Sequence, residues 1–517
     1  MRKIKKLNGV ELDYVSGSFV GFTKIANTNK DLEKENIEDT IKLLEYTEKK
    51  LKGYFIFSTL FNAYQEESGG RTLSENNQFG HDKVYSDSGG LQVLTSGKTI
   101  NAEVKEKVYT VQAKYSDYAM TFDEMPLKVA PDLGKKAFAG DDGQVYIDEM
   151  IEPMAKLSAS HIQTQIDIFE KLKAPTKILP ILHGYDVPSF LKYGGTIFDS
   201  LKHVGKHIQG VAIASLRGHA DNKVGIMKIF DYVPKILNSD RIDKQYFQHI
   251  HLLGVASPQR ILPMIMMIKK GLLPIKKLSF DSTAITKAYT FGRVYQTVDE
   301  YKNPGNFSTE LTLKDYKDKE YPNIEQFYRS VHEEYKDYEN YVFEDWEDLA
   351  KHSQNNGEKL TPKKLFEKYG IEYERKYLAQ VRYCNLYHAF TYLSMIEGYI
   401  DDELTIADIF GYSNTIKTMF ESFETINTLD ELNEMCDYFY NFAKIGRTNL
   451  RIHKCSTIQE FEDKYMTPAI DSYAELGITK DVEILNEELK KPWIKSSIKR
   501  AKGEDYPHGK EPTNLLF

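Results

Sequence analysis

Along the first two-thirds of the chain, short apolar runs alternate with longer amphipathic stretches. Runs rich in β-branched and aromatic residues read as strands, and apolar positions recurring every three or four residues read as helices. Strands are expected at Tyr54–Thr59, Val84–Ser86, Tyr118–Phe122, Lys177–Leu182, Gly210–Ala214, His249–Gly254 and Lys277–Asp281, with Gly17–Phe22 as a weaker first member. Helical patterns lie between them, among them Asn36–Leu51, Asn101–Ser116, Asp148–Leu172 and Pro258–Lys270. Strand–helix alternation implies parallel pairing, because each helix carries the chain back to start the next strand in the same direction. About eight such units suggest an α/β fold closed into a (β/α)8 TIM barrel. On spacing alone an open doubly wound sheet is the alternative. The sequence has no GxGxxG after the first strand and no P-loop, so nucleotide-binding versions of the open sheet lose ground.

Two segments interrupt the alternation. Gly134–Tyr146 (GKKAFAGDDGQVY) is polar and glycine-rich, as a surface insertion between barrel elements would be. From about Tyr301 to Pro362 the chain is rich in Tyr, Asp, Glu and Lys, ending in a loop-like SQNNGEKLTP. A long helix is expected at Tyr373–Ile396, followed by a largely helical C-terminal extension. The division that follows is a barrel over 1–300, an insertion over 301–372, a helix closing the barrel over 373–398 and a helical region over 399–517.

Composition narrows the picture. No apolar run approaches the ~20 residues a membrane helix needs, and the basic N-terminus has no apolar stretch behind it, unlike a secretory signal. Three scattered cysteines, Cys384, Cys436 and Cys455, make no disulfide framework, so a reducing cytoplasmic setting is expected. A formal net charge of -8 argues against wrapping nucleic acid with the whole surface, though it leaves room for a local basic groove.

In a parallel barrel the reacting side chains sit where strands end and βα loops begin. Asp87-Ser88-Gly89-Gly90-Leu91-Gln92 follows one expected strand, and Asp123-Glu124 closes another. His183-Gly184, Ser215-Leu216-Arg217 and Leu253-Gly254 occupy three further ends, and Asp281-Ser282 the last. A single aspartate in such a place is more often a helix N-cap. Three aspartates converging on one mouth favour a site.

Four segments carry a family resemblance: SDSGGLQV (from Ser86), SDYAMTFDEMP (from Ser116), HLLGVASPQRIL (from His251) and LSFDSTA (from Leu278). In this order and spacing they resemble the motifs of tRNA-guanine transglycosylases, between roughly Tyr54 and Val294. The resemblance implies replacement of one purine base by another at a sugar carbon, with Asp281 as nucleophile and Asp87 as general acid/base. Retaining chemistry of this kind uses one carboxylate to attack and one to manage protons. By the same resemblance, Asp123 reads the purine's N1–H and exocyclic amine, Ser88 assists, and Gly89, Gly90, Gln92 and Gly184 line the base site with Ser215, Leu216, Leu253 and Gly254. His183 stands where the family usually has Gln; it reads the base's carbonyl edge or is structural.

The departures bear on substrate. No CxCxxC zinc subdomain follows Asp281, and Cys384 stands where the zinc-ligating histidine would be, so neither metal nor cofactor is expected. The arginine-rich run with which bacterial members grip the anticodon loop is replaced by Ser282–Lys287. The chain therefore looks most like the DNA-modifying DpdA branch, which places 7-deazaguanines in DNA. The expected partners are DNA and a free base, 7-cyano-7-deazaguanine (preQ0) being favoured. A tRNA enzyme, or an inactive nucleic-acid-binding subunit of the same fold, is the alternative; the presence of both Asp87 and Asp281 speaks against inactivity. Candidate nucleic-acid contacts are Lys287, Arg293, Lys495, Lys499 and Arg500, the last three beside Trp493, where a solvated basic helix face is the simpler reading.

Overall fold

The computed structural model describes residues 4–17, 51–65, 83–90, 100–124, 127–128, 145–146, 148–203, 206–214, 216, 222–255, 258–282, 293–297, 308–312, 392–410 and 420–436. Strands β1 (Glu11–Gly17), β2 (Phe55–Asn62) and β3 (Val84–Asp87) lead to helix α1 (Ala102–Tyr115), and β4 (Tyr118–Met120) follows. A short antiparallel pair, β5 (Leu127–Lys128) with β6 (Val145–Tyr146), precedes α2 (Asp148–Lys171). Then come β7 (Lys177–Leu179), β8 (Ile181–Leu182), α3 (Val187–Ser200), β9 (Gly210–Ile213), α4 (Asn222–Leu237), β10 (His249–Leu252), α5 (Pro258–Lys269) and β11 (Lys277–Ser282). A second antiparallel pair joins β12 (Arg293–Thr297) to β13 (Ser308–Thr312).

The main sheet is all-parallel, in the order β7-β4-β3-β2-β1-β11-β10-β9-β8. Its two ends are consecutive pieces of chain separated only by Pro180, which lacks an N–H for the ladder. Its carbonyl still accepts from Ala212 N at 2.8 Å. One continuous segment thus borders β4 on one side and β9 on the other, and the sheet curls into a nearly closed α/β barrel. Of the expected weaker strand Gly17–Phe22, residues 18–22 lie outside the described residues. A strand that the pattern did not suggest opens the sheet at Glu11–Gly17. Asp13 interrupts an otherwise alternating run there, and its buried, ion-paired position inside the barrel is what the apolar pattern conceals. Of the expected helix Asn36–Leu51, residues 36–50 lie outside the described residues.

Alternation along each strand sorts side chains between two cores. Leu12, Tyr14, Phe55, Phe57, Leu278 and Phe280 face the helices in the larger core. There Phe280 meets Tyr14 and Phe55 edge-on, with centroids 5.8 and 6.0 Å apart. Val15, Leu60, Tyr85, Met120, Leu179, Ile181, Ala212 and Ala214 fill a smaller interior cluster. Asp87 shares the parity of Tyr85, and Asp281 that of Ser279 and Lys277, so both aspartates turn toward the barrel axis at their strand ends.

Helix α1 begins where Asn101 accepts from Val104 N at 2.8 Å, an N-cap that satisfies an otherwise unpaired donor. At the opposite end of the barrel, a helix over residues 392–400 closes the base. Its buried Glu397 accepts from Gly53 N (3.0 Å), Tyr54 N (2.6 Å) and Phe55 N (3.3 Å), and from Lys52 N. Further helical segments at 406–410, 420–424 and 429–436 pack beside it, Phe420 and Phe423 against Phe230. Among the described residues no helix is long and apolar enough to cross a membrane.

Candidate active site

Three carboxylates gather at the C-terminal mouth of the barrel. Asp87 ends β3, paired in register with Asn62 of β2, whose amide lies 3.5 Å from Asp87 Oδ2. Burial raises the Asp87 carboxyl to about 6, and the negative charges of Asp123 and Asp281 reinforce the rise against backbone N–H bonds from Gly89 and Ser88. A carboxyl so placed exchanges protons near neutrality.

The turn after Asp87 exists because of glycine. Gly89 has φ +83°, and a β-carbon there would stand 2.6 Å from both Asn62 Oδ1 and Tyr64 Cβ. At Gly90 a β-carbon would lie 3.3 Å from Asp123 Oδ1, so the bare backbone keeps that oxygen accessible. Ser88 is fully buried, its Oγ accepting from Gly90 N at 3.3 Å.

Asp281 is 4% exposed. Its Oδ1 accepts from Gly254 N at 2.8 Å and lies 3.5 Å from His251 Nε2. The carboxylate is fixed from the β10 side by a backbone donor. Asp123, just beyond β4, pairs through Oδ2 with His183 Nε2 at 2.5 Å. His183 is 3% exposed and meets Tyr193 edge-on at 5.6 Å, so it stands behind Asp123 as well as beside the mouth. Beside them Glu124 Oε1 pairs with His161 Nε2 at 3.1 Å, and Glu124 N donates to Ser158 Oγ.

The remaining expected residues divide. Gly184 is buried against Phe190, Leu216 is fully buried after β9, and Leu253 packs on the interior cluster. Gln92, Ser215, Lys287, Lys495, Lys499 and Arg500 lie outside the described residues, and Arg293 is placed only as a backbone position in β12. Among the described residues no group of three His, Cys, Asp or Glu side chains could hold a metal ion.

The barrel interior below the aspartates holds residues that the strand-end reading missed. Lys277 Nζ pairs with Asp13 (2.8 Å) and Glu11 (2.9 Å), and Tyr85 donates to Asp13 at 2.8 Å. Burial opposes the Lys277 charge, yet Asp13 and Tyr118 hold its pKa above the ordinary value. Above this pair, Ser279 Oγ sits between His249 Nε2 (2.6 Å) and His251 Nδ1 (2.8 Å). Burial, then Lys277 and His251, push the His249 pKa well down and keep that ring neutral. The signal available in the sequence was parity: Ser279 and Lys277 lie two and four residues before Asp281.

No protein-family model matches the chain, and no curated protein matches it.

Proposed function

We propose that the chain is a base-exchanging N-glycosyl transferase that replaces guanine in DNA with a free 7-deazaguanine, 7-cyano-7-deazaguanine being the favoured base. The fold reading that goes with it is a (β/α)8 TIM barrel bearing a largely helical C-terminal extension. The observation that carries the proposal is the unequal treatment of two converging carboxylates: Asp87 is raised to about 6, and Asp281 is anchored by Gly254 N–H. Pairs of titratable groups driven to different roles by their surroundings mark acid/base and nucleophile assignments. The four ordered motifs support the choice of reaction.

In the reaction, an Asp281 oxygen attacks the sugar C1′ as the bond from C1′ to the departing base breaks. The leaving base takes a proton from Asp87. The incoming base then loses its N9 proton to Asp87, and N9 attacks C1′ and expels the Asp281 carboxylate. Both aspartates end as they began, and no redox partner is required. Asp123, held by His183, accepts from the purine's N1–H and amine; Gly90 leaves room for that contact. Extruding a base from duplex DNA costs a few kcal/mol, which contacts outside the barrel mouth would offset.

The test is base incorporation. The protein is incubated with 7-cyano-7-deazaguanine and, in parallel, guanine-containing duplex DNA, single-stranded DNA and tRNA, and the nucleosides are analysed by mass. A modified deoxynucleoside supports the proposal. A modified ribonucleoside alone moves the substrate to tRNA, and absence of every product removes the proposal.

A further inference from the structure

We infer that His251 is a positioning residue for Asp281, held with its proton on Nε2 by a directed hydrogen-bond chain running His249–Ser279–His251 through the barrel interior. The role of Asp281 in this inference rests on the transglycosylase reading; the state of the histidine does not.

The Ser279 hydroxyl has a single proton, and two ring nitrogens approach its oxygen at 2.6 and 2.8 Å. It therefore donates to one ring and accepts from the other. If it donates to His251 Nδ1, the neutral His251 carries its proton on Nε2 and presents an N–H to Asp281 Oδ1, 3.5 Å away. His249 then donates through Nε2. In the reverse direction a neutral His251 turns a bare nitrogen lone pair toward a carboxylate, which repels it. A cationic His251 would satisfy both neighbours, but a charge-assisted pair closes to about 2.7–2.9 Å, and the ring is fully buried.

The surroundings agree with a neutral chain. Tyr85 lies 5.4 Å from His251 in a stacked arrangement, and Tyr118 meets His249 edge-on at 4.7 Å. The charged groups facing the chain are Lys277, Asp13 and Glu11 below and Asp281 and Asp87 above. Lys277 is already paired, and its positive charge disfavours a second cation at His249. The free edge of His251, Nε2, has no hydrogen-bond partner among the described residues and lies nearest Asp281. A small closing movement makes it the second donor to the carboxylate, beside Gly254 N.

The experiment has two readouts on the full chain. Long-range 15N–1H spectra of 15N-histidine-labelled protein, assigned with His251→Phe, report the proton position directly. The expected result is an Nε2–H tautomer for the neutral His251 ring, and loss of that tautomer preference in Ser279→Ala. An Nδ1–H or doubly protonated His251 overturns the inference, whether or not the protein exchanges bases. The second readout is exchange: His251→Phe is expected to lower kcat about 10- to 100-fold with little change in KM. His251→Gln, which restores an N–H, should recover part of the loss. Equal kcat in all three proteins overturns the positioning role. If the wild type exchanges nothing, the transglycosylase reading fails, and the tautomer alone decides the chain.

Discussion

Asp87 shows how one residue can be read both for chemistry and for stability. Its carboxyl ionises at about 6 in the fold against an ordinary 3.8, so the folded state binds more protons between those values. Stability conferred by the protonated form is lost as pH rises through that window. Asp87→Asn should therefore raise unfolding stability at pH 7.5 by about 1–3 kcal/mol, with the gain vanishing below about pH 4, as denaturant midpoints across pH would report. In the same range, single-turnover release of guanine without incoming base should fall as pH rises through about 6, because in the proposed reaction the acid form of Asp87 is the proton donor. Gly89→Ala should destabilise by about 1–3 kcal/mol and abolish exchange, since its φ and its contact with Asn62 both resist a side chain. The aspartates were legible in the sequence because each closes an apolar run; His251 and Ser279 were not, since a histidine inside a strand has no pattern of its own.

At the scale of elements, strands were easier to place than their functional interior. Phe55–Asn62 and Lys277–Ser282 announce themselves through aromatic and aliphatic alternation. The first strand escaped because Asp13 occupies an inward position, where its partners Lys277 and Tyr85 come from distant sequence. The split between β7 and β8 comes from Pro180, a local fact that becomes meaningful only when both neighbouring strands are known. Glu397 has the same character: nothing near it in sequence shows that it caps the start of β2. Glu397→Ala should leave several backbone donors at residues 52–55 unpaired and cost about 2–5 kcal/mol in chemical denaturation, while Glu397→Gln, retaining an acceptor, should cost less. Equal stability of both variants with the wild type would mean that water replaces the carboxylate without loss.

The described residues join a barrel, its base sealed by a helix whose Glu397 caps the start of β2, to a mouth where three acids meet, with a column of buried polar groups between them. Parallel strands explain why residues from four separate segments share one face: every strand delivers its C-terminal end to the same side. That convergence was legible from strand order alone, whereas the candidate nucleic-acid contacts, apart from the backbone of Arg293, lie outside the described residues. The central claim is that Asp281 forms a covalent bond with the sugar. It is tested most directly by incubating the protein with guanine-containing DNA and 7-cyano-7-deazaguanine, denaturing, and analysing the protein–DNA adduct and the nucleosides by mass. The account predicts a denaturation-stable adduct on Asp281 with a 7-deazaguanine deoxynucleoside in the product, both lost in a folded Asp281→Asn variant; exchange that persists in that variant would contradict it.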